Sequence, residues 1–141
     1  MSPRASSRVT PCTAADGRAR LRKAESFLTG AELVLEMGDD SDLDLPAVAA
    51  ALAVLAGIAA ADAACCTALG EHSRGQDHQL AVRLLATVTP HGTQMAKDLK
   101  RLLNRKDNAH YGVISTTENE ARDMLTWAQR LITASLTVVQ R

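Results

Sequence analysis

The chain has 141 residues, 46% of them hydrophobic but only 2% aromatic, so it suits one domain with a core of Ala, Leu, Val and Ile. Alanine-rich apolar stripes favour close helix packing, which makes an all-α fold the expected class. Sixteen Lys and Arg balance sixteen Asp and Glu, which excludes a strong global field for recruiting nucleic acid.

Charge is nevertheless segregated: residues 39–70 hold five Asp and no Lys or Arg, whereas residues 71–141 hold ten Lys or Arg. An anionic ligand is therefore expected on the second half. Residues 1–17 are rich in Ser, Pro, Thr, Arg and Gly and read as a mobile tail ahead of a helical domain over 18–141. They contain no apolar stretch of secretory type, and a cytoplasmic protein is expected.

Five helices are predicted in turn. The first runs from about Arg18 to Met37, with Leu21, Ala24, Leu28, Ala31 and Leu35 three and four apart and Gly38 as a stop. The acidic run Asp39 to Asp44 reads as capping and dipole compensation for the second helix. That helix starts near Pro46 and ends before Gly70. It is apolar nearly all round, and although Ala47–Ala64 raises the question of a membrane span, it reads as a buried central helix. Asp62 is its only charge and, if buried, needs a partner.

The third helix, Asp77 to Val88, is capped by Asp77 or Ser73 and carries its apolar side on Leu80, Leu84, Leu85 and Val88. The fourth, about Thr93 to Ala109, has Met95, Leu99, Leu102 and Leu103 on one side. Lys97, Arg101 and Arg105, spaced i, i+4, i+8, share the other side, with Lys100 and Asn104 at its edge. The fifth starts after Ser115; both Ser115-x-x-Glu118 and Thr117-x-x-Glu120 fit a capping box. Its broad apolar stripe, from Ala121 to Val139, is expected to serve the bundle and also a dimer.

Cys12, Cys65 and Cys66 are odd in number, and two are adjacent. They match neither a disulfide framework nor a zinc pattern, and read as small apolar residues in a reducing compartment. His72 and His91 read as exposed loop residues. With His78 they lack close ligand spacing, so no metal site and no cofactor are expected.

Three stretches carry a resemblance. They are Leu55-Ala-Gly-Ile-Ala-Ala-Ala-Asp62, Ser73-Arg-Gly-Gln-Asp-His78-Gln-Leu, and Leu102-Leu-Asn-Arg105-Lys-Asp-Asn-Ala-His110-Tyr111-Gly112. In their order and spacing the chain, over roughly residues 18–138, resembles the HEPN domain family. These are small helical bundles named for higher eukaryotes and prokaryotes nucleotide-binding. The resemblance implies an up-and-down bundle of four to five helices. It implies a metal-independent endoribonuclease of toxin or anti-phage type, with Arg105 and His110 as the catalytic pair of an Arg-x4-His motif.

Two copies of that motif would meet across a homodimer. The ribose 2′-OH would attack phosphorus, His110 would move the proton, and Arg105 would stabilise the phosphate charge. The products would carry 2′,3′-cyclic phosphate ends. Five residues of ideal helix turn by about 500° and leave Arg105 and His110 about 140° apart, so either the helix frays near Gly112 or the residues that meet come from different protomers, as the resemblance implies.

Lys97, Arg101, Lys106, Asn108 and Tyr111 are the residues expected to contact RNA. Asp62 and His78 are expected to line a groove. An antitoxin, for instance a nucleotidyltransferase-type protein, is the expected partner, and no membrane association is expected. Lys106 stands where active members usually carry Asn or Asp. That favours the alternative, a non-catalytic HEPN bundle binding a protein or a nucleotide.

Overall fold

The computed structural model describes residues 8–38, 42–75, 77–111 and 116–140; over 106–111 it describes the backbone alone. Among these residues it contains five helices and one two-stranded sheet. In chain order they are β1 (Val9–Pro11), α1 (Ala14–Glu36), α2 (Leu45–Leu69), β2 (Glu71–Ser73), α3 (His78–Ala86), α4 (Gly92–Tyr111) and α5 (Glu118–Val139).

The all-α bundle is what the apolar periodicity predicts, and α2 is its centre. Leu45, Ala53, Ala60, Ala63, Ala64 and eight further residues of α2 besides Gly57 are buried, and α1, α3, α4 and α5 all pack on it. By length and composition α2 could cross a membrane, but 67% of its most apolar window lies inside the bundle. Gly57 lets α4 and α5 approach α2 closely. A Cβ there would come within 2.5 Å of Leu102 Cδ1 and 3.6 Å of Leu131 Cδ2, so α4 and α5 both lean against a backbone without a side chain. Further along, the buried Ser135 hydroxyl donates to the Ala60 carbonyl at 2.8 Å. That bond satisfies a polar group that the α5 stripe takes into the core.

The starts of α2, α3 and α5 have local causes. Asp44 caps α2, accepting from Ala47 N–H at 3.4 Å with Pro46 in the first turn, and Asp77 caps α3, accepting from Leu80 N–H at 3.0 Å. Thr117 and Glu120 form a capping box on α5. At its other end α2 stops at Gly70, whose φ of 73° is the left-handed conformation that closes a helix.

The amino-terminal segment differs from its sequence expectation. Residues 8–17 are not a tail. Val9–Pro11 pairs antiparallel with β2 in the register Val9–Ser73, Thr10–His72 and Pro11–Glu71. The Cys12 N–H donates to the Gly70 carbonyl at 2.9 Å. Helix α1 begins at Ala14, four residues before Arg18. Thr13 Oγ1 accepts from Asp16 N–H at 3.1 Å, and the Asp16 carboxylate accepts from Thr13 N–H at 2.9 Å. Residues 1–7 of the expected tail, and Asp39 and Asp40 of the acidic run, lie outside the described residues.

The cysteine expectation is corrected too. Cys12 and Cys66 form a disulfide across a separation of 54 residues, and only Cys65 is a free, buried thiol. A partner 54 positions away is invisible to spacing rules. The pair meets because α1 and α2 run antiparallel, which returns the end of α2 to the start of α1.

The dimer role expected of α5 is also revised. Its stripe, including Ala121, Met124, Ala128, Leu131 and Ile132, is buried within the protomer. Among the described residues, the large apolar side chains left exposed are Leu33, Met37, Leu43, Val48, Leu55 and Leu69, on or between α1 and α2.

Candidate functional site

One acidic residue of α4 lies beneath its basic side: Asp98 is 1% exposed and turned toward α5. Its Oδ1 accepts from Arg130 Nη2 of α5 at 2.8 Å and faces Arg101 Nη1 at 3.6 Å, while Gln94 Nε2 approaches Oδ2 at 3.5 Å. Arg101 also lies over the half-buried Trp127 ring, 5.8 Å from its centroid. Arg101 therefore serves the α4–α5 interface as well as the surface, whereas Lys97 and Lys100 are exposed.

Arg105 is held by the next helix. Its Nη1 donates to Glu120 Oε2 at 2.6 Å. The other carboxylate oxygen of Glu120 accepts from Thr117, through its hydroxyl at 3.1 Å and its backbone N–H at 3.5 Å. One glutamate thus caps α5 and fixes the arginine of the Arg-x4-His motif. The α4 backbone stays helical through Tyr111, which leaves positions 105 and 110 about 140° apart around the axis. The side chains of Lys106, Asn108, His110 and Tyr111 lie outside the described residues.

A groove of about 410 Å³ runs between α3 and α4, and Arg105 is not among its lining residues. His78, Gln79, Arg83, Lys100 and Asn104 give it polar and cationic walls, and Val82 and Leu103 give it an apolar floor. A smaller cleft of about 30 Å³ beside it brings Asp62 and His78 together, with Ser73, Asp77 and Leu103. Asp62 and His78 thus line the same small cleft.

Asp62 and His72 belong to a second polar cluster where α1, α2 and β2 meet. His72 is buried, not exposed as its sequence surroundings suggested, because β1 and α1 cover it. Its Nδ1 donates to the Ser73 carbonyl at 2.8 Å, and its Nε2 lies 3.2 Å from Arg20 Nη2. Since a guanidinium can only donate, Nε2 is the acceptor. Arg20 Nη1 also reaches Asp62 Oδ2 at 3.4 Å, and Asp62 Oδ1 is 3.8 Å from His72 Nδ1. Burial pushes the Asp62 carboxyl above its ordinary range, opposed by His72 and Arg20. The partner that Asp62 required is thus Arg20, 42 residues earlier.

The Cys12 and Cys66 sulfurs and a ring nitrogen of His72 lie within 4.8 Å of one another. Cys65, next in sequence to Cys66, has its thiol pushed up to about 12, first by burial and then by the Asp62 and Glu71 charges. It stays protonated and unreactive at neutral pH.

Sequence reasoning missed Asp98, Arg20 and Glu120. Asp98 sits among lysines and arginines and reads as part of a solvated face. A signal for Glu120 was present in the Thr117-x-x-Glu120 box, but its second role depends on α4. Comparison with known protein families, with curated proteins and with solved structures gave no match.

Proposed function

We propose that this chain is a HEPN-type, metal-independent endoribonuclease that acts as a homodimer in the cytoplasm. It would serve as a toxin or anti-phage effector under the control of a partner antitoxin, for instance a nucleotidyltransferase-type protein. The observation that carries this reading is the groove walled by His78, Arg83, Lys100 and Asn104, two of them on the helix that also bears Arg105. A polar, cationic channel over an apolar floor suits a phosphodiester backbone and its sugar faces. The same helix carries Arg105 and position 110, a permanent cation and a residue type that can move a proton near neutral pH.

In this reading Arg105 exchanges Glu120 for a phosphate oxygen when RNA binds, and His110 moves the proton of the 2′-OH or of the leaving 5′-oxygen. The pair comes from two protomers, consistent with the angular separation of positions 105 and 110 on one helix. Leu33, Met37, Val48 and Leu55 are the exposed apolar side chains from which a dimer contact can be drawn.

A second reading has its own observation. The Arg105–Glu120 pair at 2.6 Å lets Arg105 serve as a strut between α4 and α5, and Lys106 follows it directly. In that case the bundle is a non-catalytic protein- or nucleotide-binding module. The two readings are separated by inducing the wild-type chain and His110→Ala in cells and by incubating each purified protein with tRNA and mRNA in chelator. The ribonuclease reading expects growth arrest and 2′,3′-cyclic phosphate ends from the wild type alone, with equal helical content in both. Identical growth and uncut RNA in both would select the binding module.

A further inference from the structure

We infer that Cys12, Cys66 and His72 form a redox-gated zinc site: the reduced protein binds Zn²⁺ through two thiolates and one imidazole, and oxidation to the disulfide releases it. The three ligand atoms already lie within 4.8 Å of one another. In a tetrahedral zinc site, Zn–S bonds of about 2.3 Å and Zn–N bonds of about 2.0 Å place two sulfurs and a nitrogen roughly 3.5–3.8 Å apart. Small adjustments at the β1–α1 junction therefore suffice.

The imidazole is oriented for this role. The Nδ1–H of His72 is committed to the Ser73 carbonyl at 2.8 Å, which makes Nε2 the ligand nitrogen once Arg20, whose N–H it accepts in the disulfide form, gives way. A backbone carbonyl holding the far nitrogen is the usual support for a metal-bound histidine. In the disulfide form a cation already stands there, since Arg20 Nη2 lies 3.2 Å from Nε2.

Charge balances in both states. With the disulfide, Arg20 neutralises Asp62. On reduction two thiolates add two negative charges, Zn²⁺ offsets them and takes Nε2, and Arg20 keeps Asp62. Two thiolates with an imidazole suit zinc over hard cations. Cys65 takes no part, because its neighbouring helical position turns it about 100° away and its thiol stays protonated.

The conversion is balanced with a peroxide as oxidant. The zinc dithiolate, one hydrogen peroxide and two protons give the Cys12–Cys66 disulfide, free Zn²⁺ and two waters. Two electrons leave the sulfurs and cleave the O–O bond. A thiol reductant such as a small dithiol reverses it. Such a reversible pair is also how a disulfide fits a reducing cytoplasm.

The test uses the full chain. Reduced and oxidised protein are each dialysed against Zn²⁺ without reductant under anaerobic conditions, and bound metal is counted. One Zn²⁺ per reduced chain and none per oxidised chain are expected. With Co²⁺ in place of zinc, the reduced protein should show a thiolate-to-cobalt charge-transfer band and tetrahedral d–d bands. Hydrogen peroxide should then release the metal in step with formation of the Cys12–Cys66 peptide cross-link. His72→Gln keeps both cysteines and should lower zinc affinity more than about tenfold, and Cys12→Ser should abolish the charge-transfer signature of the pair. Failure of the reduced wild type to bind zinc would overturn the inference. So would binding that is indifferent to both substitutions, or a cobalt spectrum without thiolate character.

Discussion

Asp98 brings a carboxylate into the interior of the α4–α5 contact, and its standing depends on Arg130. A buried charge that loses its partner costs more than the pair contributed, because the remaining ion stays out of water. Arg130→Met keeps the aliphatic packing and removes the cation, leaving Asp98 with the more distant Arg101 and Gln94. The variant is expected to lose about 2 kcal/mol of stability, read as a lower urea midpoint at unchanged slope. Glu120 shows the same economy at the surface, with one carboxylate shared between a helix cap and Arg105. Glu120→Gln keeps the capping geometry and frees Arg105 of its counter-charge. Under the proposed ribonuclease function it should retain RNA cleavage, and in a cleavage assay lower KM for RNA by relieving the competition between carboxylate and phosphate.

At the scale of elements, two helix starts depend on ionised carboxylates. Asp16 lies below the ordinary carboxylate range because it accepts hydrogen bonds from the Thr13 backbone and side chain. Asp77 is lowered first by the Arg8 side chain and then by the Leu80 N–H. A carboxyl depressed in the folded state stabilises above its unfolded pKa, and that contribution is lost as pH falls through the folded value. Stability should therefore decline as pH drops below about 4, the ordinary Asp range. The Asp16→Asn, Asp77→Asn double variant should show a smaller decline in melting temperature over that interval. Asp62 acts with the opposite sign, since burial raises its pKa and its effect on stability falls as pH rises through that value. Measuring the double variant against wild type cancels this shared contribution.

Helix packing follows the same logic of side-chain size. The alanine-rich α2 lets three long helices approach a single axis, and Gly57 is where the approach of Leu102 and Leu131 is tightest. The helices were legible in the sequence because apolar residues three and four apart need no knowledge of the partner. The start of α1 was less legible. Its capping box uses Asp16 in place of the usual Glu or Gln, and the preceding strand is three residues long with its partner far along the chain.

For the whole molecule, the Cys12–Cys66 disulfide ties the first described strand to the far end of the central helix. Closing a loop of 54 residues restricts the unfolded chain by about 4 kcal/mol in the chain-entropy account. Cys12→Ser under oxidising conditions is expected to lower the unfolding free energy by about 3–4 kcal/mol, measured by chemical denaturation. Reduction of the wild type in chelator should produce a similar loss, and the single Cys65 thiol should stay unalkylated until the protein unfolds.

The sequence by itself determined the five helices, the central place of α2 and the basic side of α4, because periodicity, capping residues and composition act within a few neighbouring residues. The same local reading marked Arg105 and His110 as a candidate pair and Asp62 as an acid in need of a partner. Only the tertiary structure decided that Arg20 answers Asp62, that Arg130 answers Asp98, that Glu120 holds Arg105, and that Cys12, Cys66 and His72 meet. The three ion pairs and the meeting of Cys12 with Cys66 and His72 join groups 15 to 60 positions apart, and distance along a chain carries no direction until the helices have packed.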